Sequence, residues 1–180
     1  MKVFYYLNRL VIFLRNNYQA KLTPNAYAKR IGVKLGSDVK FYGITPGMFG
    51  SEPWLITLGD NVHITGDVQF INHDGGTLIL RHLEPTLEIT KPITVGNNVF
   101  IGMRTILLPG VNVGNNVIIA AGSVVASDLP DNGVYGGVPA KRLKGLDDYF
   151  SKIKLESLGI GDLCAAEKEK ELKRMFGITR

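Results

Sequence analysis

The sequence is poor in cysteine and in long apolar runs. Its 180 residues include one cysteine, Cys164, so no disulfide can form within the chain and no cysteine cluster can bind zinc. The apolar run at residues 10–14 lies between Arg9 and Arg15, and no small-residue cleavage site follows it. A membrane span needs about 20 apolar residues. The sequence therefore predicts neither a signal peptide nor a membrane span, and we expect a cytoplasmic location.

Charged residues are also scarce, at 21%, against 45% hydrophobic residues. This balance excludes an intrinsically disordered chain and predicts one compact domain with attached tails. Glycine is abundant, at 21 residues, but follows no Gly-X-Y period, which excludes collagen and favours a fold with many turns. The formal net charge of +5 suits an anionic small molecule as well as a polyanion, so charge alone does not identify a partner.

A repeat of six residues runs from 95 to 130 and reads VGNNVF, IGMRTI, LLPGVN, VGNNVI, IAAGSV and VASDLP. The first position of each hexad is aliphatic, and the fifth is small or apolar. The fifth position of one hexad and the first of the next are two residues apart, so in an extended chain their side chains face the same way. Positions two to four hold residues that tolerate turns or a positive φ. The repeat predicts a short buried strand and a corner every six residues, and it excludes a helix.

The same register continues upstream, in hexads that begin at Leu58, Ile64 and Phe70. Two interruptions break it, at residues 43–54 and 71–94. From Phe70 to the next hexad is 25 residues, one more than four hexads, so the second interruption is interpreted as an excursion rather than as missed repeats. Long loops in compact domains are usually functional.

Both ends of the chain have helical patterning. Apolar residues follow helical spacing within residues 2–18, and two further helices are predicted at 147–158 and 162–176. We expect these helices to pack against the coil of hexads or against a neighbouring subunit. For the basic N-terminal helix, contact with a membrane surface is the less favoured alternative.

The hexads, together with NHDGG after Phe70 and GGVPAKRLKG at 136–145, resemble the hexapeptide-repeat acyltransferase family. Within it, the motifs are more similar to the capsular and O-antigen polysaccharide O-acetyltransferases than to the galactoside or maltose enzymes. The resemblance implies an all-β core, a left-handed parallel β-helix of triangular section with three hexads per coil, flanked by helices. It also implies a homotrimer with active sites between subunits. The expected segments are an N-terminal helical part (1–32), the β-helix (33–145) and a C-terminal helical part (146–180).

Three histidines are candidates for catalysis, and their positions in the register differ. His63 is the sixth residue of its hexad and is expected to face solvent, while His82 lies within the excursion without a pattern around it. His73 is the fourth residue of its hexad, where the excursion leaves the coil. A lone histidine is more often structural, but the resemblance implies that His73 is a general base. Imidazole titrates near neutral pH, so it can accept a proton without a metal.

The residues near His73 are candidates for acceptor binding. Asn72 and Asp74 flank it, and either one, or a backbone carbonyl, could orient its ring. Asp74 is rated closer to substrate contact, because adjacent side chains of an extended chain point apart. Trp54, the single tryptophan, is either an aromatic platform for a sugar ring or an anchor of its loop.

The donor site is assigned to two groups of residues. By resemblance, a coenzyme A channel is lined by Met103, Ala121, Ala126 and Ser127. Three cations follow the last hexad and suit a coenzyme A phosphate, with a solvated basic turn as the alternative. They are Lys141, Arg142 and Lys144.

The sequence thus predicts an acetyltransferase that moves acetyl from acetyl-CoA to a hydroxyl of a sugar or of a nucleotide- or lipid-linked glycan precursor. No metal and no nucleic-acid partner are expected. Two alternatives stay open. One is a zinc carbonic anhydrase that uses the three histidines, although their register does not supply the geometry. The other is a non-catalytic β-helix assembly module.

Overall fold

The computed structural model describes residues 2–178, with side chains from Tyr5 onward. The chain divides into two compact units, Met1–Leu146 and Asp147–Arg180. The finer division at 1–32, 33–145 and 146–180 stays a prediction. Within the described part, no helix has both the length and the apolar character that crossing a membrane requires.

Short strands follow one another along the first unit. They are β1 (Lys34–Leu35), β2 (Lys40–Phe41), β3 (Ile56–Leu58), β4 (Val62–Ile64), β5 (Gln69–Phe70), β6 (Ile93–Val95), β7 (Val99–Ile101), β8 (Ile106–Leu107), β9 (Asn112–Val113), β10 (Val117–Ile119), β11 (Val124–Val125), β12 (Gly133–Gly136) and β13 (Lys141–Gly145). Parallel pairing gathers them in sheet A (β1, β3, β6, β9), sheet B (β2, β4, β7, β10, β12) and sheet C (β5, β8, β11). From β3 to β11 the chain visits sheets A, B and C in turn, so three strands form one coil.

The hexad register corresponds to the burial of the side chains. Val95 pairs with Val113, and Val99 with Val117, each three hexads further along the chain. The first and fifth positions of the six hexads are all at most 3% exposed, at Val95, Val99, Ile101, Thr105, Leu107, Val111, Val113, Val117, Ile119, Ser123, Val125 and Leu129. Each fully buried aliphatic side chain contributes roughly 1.5–3 kcal/mol. The predicted inward-facing positions are confirmed.

The corners turn at the fourth position of the hexads. The backbone is left-handed there at Asp38, Asn61, Asp67, Asn98, Arg104, Gly110, Asn116 and Gly122. Asparagine tolerates this conformation because its side chain can hydrogen-bond locally. At one corner the amides also form a ladder, in which each Nδ2 donates to the next Oδ1 at 2.8 to 2.9 Å. Its members are Asn61, Asn98, Asn116 and Asn132.

The excursion occupies a single coil. Leu58 of β3 pairs with Val95 of β6, which is 37 residues later, whereas a regular coil has eighteen. The nineteen additional residues include a 3₁₀ helix at Gly75–Leu80. These additional residues lie between β5 and β6, within the segment that was interpreted as an excursion.

Two helices precede the strands, α1 (Lys2–Leu22) and α2 (Pro24–Arg30). The N-terminal helix was predicted, but α2 was not. It is α2 that packs on the first strands, because Ala28 lies in the core and Nδ2 of Asn25 donates to the Val39 carbonyl at 2.9 Å. Burial raises the pKa of Tyr27, an effect that the nearby Arg30 opposes. The expected packing against the coil is therefore made by α2.

At the other end, β13 pairs antiparallel with β12 and forms the edge of sheet B. The second unit contains α3 (Leu146–Glu156) and α4 (Ala165–Met175), neither of which has a buried residue. Both helices were predicted, with ends that differ by up to three residues. Their packing against the coil or a subunit stays a prediction.

Candidate active site

His73 lies where the excursion leaves the coil. It follows β5 at the fourth position of its hexad, but its backbone is not left-handed, and the chain continues outward instead of turning the corner. The two ends of the excursion pair with each other, because Lys91 N donates to the Asn72 carbonyl at 2.7 Å and His73 forms a bridge with Thr90. This backbone pairing holds the imidazole at the edge of the core.

A carboxylate orients the ring of His73. Oε2 of Glu52 lies 2.9 Å from Nδ1 of His73. A carboxylate only accepts hydrogen bonds, so Nδ1 carries a proton, and in the neutral ring Nε2 then presents its lone pair. Among residues 2–178 no group hydrogen-bonds to Nε2, and the side chain of His73 is 40% exposed. The imidazole therefore has the tautomer and the access that a general base needs.

The first interruption brings Glu52 to this position. Met48 and Phe49 are fully buried, and the ring of Phe49 stacks on that of Phe70 with centroids 5.6 Å apart. Phe70 N donates to the Met48 carbonyl at 2.8 Å. Gly50 has φ +63°, and a Cβ there would lie 3.0 Å from the Phe70 carbonyl. The loop therefore folds back against β5, and Glu52 arrives beside the imidazole.

Glu52 was not predicted as the partner of His73. The predicted candidates were Asn72, Asp74 and a backbone carbonyl, and both of these side chains are neighbours of His73 in the chain. The available indication was that the interruption at residues 43–54 contains a single acidic residue, Glu52.

His73 opens onto a cleft of about 490 Å³. Leu108 and Ala126 line one side of it and are eighteen residues apart, on successive coils. Lys91, a basic residue at the returning end of the excursion, also lines the cleft. The structure thus brings Ala126, a predicted coenzyme A residue, to the cleft of the candidate base, together with a cation that the sequence interpretation did not select.

The predicted acceptor residues take three different positions. Asn72 is 1% exposed, and its Nδ2 donates to the Lys91 carbonyl at 3.1 Å, so its side chain helps to close the excursion. Asp74 lines the cleft, but its Oδ1 accepts from Gly76 N at 2.9 Å and caps the 3₁₀ helix. Trp54 is exposed, and its loop is anchored by buried side chains other than its own. Acceptor contacts of all three stay predictions.

The predicted coenzyme A residues fall into two groups. Ala126 and Ser127 are exposed at the corner that follows β11, on the same side of sheet C as the cleft. Met103 and Ala121 are exposed at the corner that precedes sheet C, where Gly122 N donates to the Met103 carbonyl at 2.7 Å. One chain therefore does not bring all four residues into the cleft of His73.

The three predicted cations lie on β13. Lys141 and Arg142 are exposed and Lys144 is half-buried. Because β13 is the edge strand of sheet B, these residues belong to a strand and not to a basic turn. The segment before it runs beside β11, where Val124 N donates to the Gly137 carbonyl at 3.0 Å.

The other two histidines have structural partners. Nδ1 of His63 lies 2.8 Å from the Tyr42 hydroxyl, and its Nε2 lies 3.0 Å from Oδ1 of Asn61. His63 is half-buried. Nδ1 of His82 donates to the Ile79 carbonyl at 2.9 Å. In the described residues 2–178, no group of three or more His, Cys, Asp or Glu side chains is placed to hold a metal ion. The zinc alternative gains no support from this arrangement.

Comparison with known proteins extends these observations. The model of the bacterial transferase hexapeptide family, described as six repeats, matches residues 92–127. The chain is 48% identical to protein CapG of Staphylococcus aureus over 69% of this chain and 73% of that protein. It is 38% identical to the galactoside O-acetyltransferase of Escherichia coli, over 59% and 54% of the two chains. It is 28% identical to the putative lipopolysaccharide biosynthesis O-acetyl transferase WbbJ of E. coli, over 79% and 82%.

A solved structure has the same fold. It is a hexapeptide-repeat acetyltransferase of Vibrio cholerae in complex with acetyl coenzyme A, with a TM-score of 0.56 and 25% identity over 73% of this chain and 84% of that one. The matched repeats, the identity to CapG over most of its length and this common fold establish that the chain belongs to the hexapeptide-repeat acetyltransferase family.

Proposed function

We propose that this protein transfers acetyl from acetyl-CoA to a hydroxyl group of a sugar or glycan precursor, with His73 as the general base. The observation that carries the proposal is the hydrogen bond from Nδ1 of His73 to Glu52 at the edge of an open cleft, which leaves Nε2 free to accept a proton. The acetyl-CoA complex of the V. cholerae relative supports the choice of donor.

The proposed chemistry is direct transfer. Nε2 of His73 takes the proton of the acceptor hydroxyl as its oxygen attacks the thioester carbonyl carbon, and the new C–O bond forms. The tetrahedral intermediate then expels the coenzyme A thiolate, which recovers the proton from the imidazolium. Glu52 stabilises that transient cation across 2.9 Å.

We propose Met103, Ala121, Ala126 and Ser127 for the pantetheine arm, with Lys141, Arg142 and Lys144 for the phosphates. Within one chain Ala126 lines the cleft of His73, whereas Met103, Ala121 and the three cations do not, and this favours an assembly in which the two sets meet across a subunit boundary. The corresponding assembly is a homotrimer of left-handed β-helices of triangular section. Asp74 and Trp54 are proposed acceptor contacts, whereas Asn72 acts through the excursion it closes.

For the acceptor, the relatives favour glycan assembly. The name of WbbJ refers to lipopolysaccharide biosynthesis, and the E. coli relative is named a galactoside O-acetyltransferase. We extend this to a nucleotide- or lipid-linked glycan precursor. A cytoplasmic setting is part of the proposal, because the chain has a single cysteine and forms no disulfide.

Exchange of the imidazole tests the proposal. His73→Ala is expected to lower turnover by about 10²- to 10⁴-fold, the usual contribution of general-base catalysis. Turnover is measured as coenzyme A release from acetyl-CoA against a panel of sugars and nucleotide sugars. Binding of acetyl-CoA, measured by calorimetry, should not change.

The matched control is His82→Ala, which removes an exposed histidine of the same excursion. Turnover by the His73→Ala variant at the wild-type rate would refute the role of this base. If the wild-type protein bound no acetyl-CoA, the alternative of a non-catalytic assembly module would replace the enzyme.

A further inference from the structure

Helix α1 presents an exposed apolar stripe. Leu7, Leu10, Val11, Leu14 and Tyr18 are spaced by three and four residues, so they lie on one side of the helix. Each of them is between 52% and 67% exposed. A stripe of five large side chains in water is costly at roughly 25 cal/mol per Å² of apolar surface, which indicates that something covers it.

The charge of the chain is concentrated at the same end. Residues 1–37 contain seven basic residues and no acidic residue. The remaining residues contain fourteen basic and sixteen acidic residues. The net charge of +5 therefore comes entirely from α1, α2 and the first residues of the coil, and the rest of the chain is slightly negative.

Two basic residues of α1 lie beside the stripe. At about 100° per residue, Arg15 borders it next to Val11, and Lys21, in the last turn, lies in line with Leu14. Arg9 lies on the other face of the helix, where its guanidinium is 5.7 Å from the ring centroid of Tyr5. Long basic side chains beside an apolar stripe can extend to lipid phosphates while the stripe enters the acyl boundary.

The opposite side of α1 is held by α2. Ala20 is buried, and Nη2 of Arg30 donates to Oδ1 of Asn16 at 2.7 Å. Asn16 and Ala20 lie one turn apart, roughly across the helix from Val11 and Tyr18. The contact with α2 therefore leaves the apolar stripe facing away from the helix that holds α1.

We propose that α1 binds an anionic lipid surface, lying in the interface with its apolar stripe buried among the lipids. Charge complementarity decides between this occupant and a second copy of the helix. Packing identical helices that carry basic and no acidic side chains would bring like charges together, whereas phosphate headgroups neutralise them. The helix is not apolar enough to cross a membrane, which is consistent with a position along the surface. The proposal is independent of the acetyltransferase reaction.

Sedimentation of the full-length protein with lipid vesicles tests the proposal. The protein should sediment with vesicles of phosphatidylcholine mixed with phosphatidylglycerol, and stay in solution with phosphatidylcholine alone. Binding should weaken as salt is added, because surface charges are screened. The double variant Arg15→Gln, Lys21→Gln should bind about thirtyfold more weakly, at the strength usual for two basic residues near an anionic surface.

A second variant tests the apolar stripe. Leu10→Gln, Leu14→Gln keeps a good helix propensity and should weaken partitioning by about a hundredfold. Two double variants in the second unit are the matched controls. Lys168→Gln, Lys170→Gln removes two exposed basic residues, and Leu155→Gln, Leu158→Gln removes two exposed leucines. Both controls should bind like the wild-type protein.

Three outcomes would overturn the proposal. The first is that the wild-type protein does not sediment with anionic vesicles. The second is that both α1 variants bind as well as the wild-type protein. The third is that the leucine variant changes the oligomeric state in sedimentation velocity without changing vesicle binding, which would show that a second copy covers the stripe.

Discussion

At the scale of single residues, the carboxylate of Glu52 can act on His73 in two ways. As acceptor for Nδ1–H it fixes the tautomer, and as an anion it would stabilise the imidazolium of the proposed transfer. Glu52 touches neither substrate in the proposed reaction. It is therefore a positioning residue, and its two effects can be measured apart.

Glu52→Gln is expected to keep a hydrogen-bond acceptor at this place but to remove the charge. A hydrogen bond to a charged group contributes about 1.5–3 kcal/mol, about twice as much as a neutral one, so kcat should fall about four- to twelvefold, with little change in KM. In Glu52→Ala kcat should fall further, because no acceptor then fixes the tautomer of His73. Steady-state kinetics give the split between kcat and KM.

The control for this pair is Glu84→Gln, an exposed carboxylate of the excursion that bonds to Thr86. If Glu52→Gln raised KM for acetyl-CoA and left kcat unchanged, Glu52 would be a binding residue rather than a partner of the base.

The sequence identified the candidate base, His73, but not its partner, Glu52. His73 occupies a defined position of a hexad within a family motif, so register and resemblance both select it. Glu52 is 21 residues earlier, in a loop without periodicity. What brings it to the imidazole is the stacking of Phe49 on Phe70 and the turn at Gly50, and neither contact is encoded by spacing along the chain.

At the scale of elements, the corners stabilise the strands between them. Asn116 accepts from Asn98 and donates to Asn132, and its own φ is +55°. Its side chain thus contributes hydrogen bonds, and asparagine also adopts a left-handed backbone at lower cost than most residues. The two contributions can be measured separately, because glycine also tolerates the left-handed backbone but makes no side-chain hydrogen bond.

Asn116→Ala is expected to destabilise the chain by roughly 2–4 kcal/mol, from two lost hydrogen bonds and the strain of alanine at positive φ. Asn116→Gly should cost about 1–2 kcal/mol less than alanine, because it lacks the strain. Urea denaturation gives both values. Equal stability of the two variants would show that the ladder, and not the backbone conformation, determines the cost.

The sequence pattern predicted the elements that repeat and missed those that do not. Every strand from β6 to β11 follows from the hexads, because their side chains alternate between core and surface. Helix α2 has seven residues, too few for a period to emerge, and it forms through the burial of Tyr27 and Ala28 on the first coil. Strand β13 forms by antiparallel pairing with β12, and no local sequence pattern predicts this pairing.

At the scale of the whole molecule, the separation of the His73 cleft from the cations of β13 bears on where a complete site can form. His73 and Ala126 share one cleft, while Lys141 and Arg142 lie on the edge strand of sheet B. If a complete site needs both the cleft of His73 and the cations of β13, and one chain does not bring them together, then a site consists of His73 from one subunit and β13 from the next. Such an arrangement in a closed trimer gives three equivalent sites.

Subunit complementation distinguishes this arrangement from a site within one chain. His73→Ala and the double variant Lys141→Glu, Arg142→Glu should each have little activity alone. In hybrids co-expressed in equal amounts, a boundary pairs an intact histidine with an intact basic strand about one time in four, so about a quarter of wild-type activity should return. Hybrids of His73→Ala with Glu52→Ala serve as the control, because both defects affect the same cleft and no boundary is restored. Activity no higher than the sum of the two parents would place the complete site within a single chain.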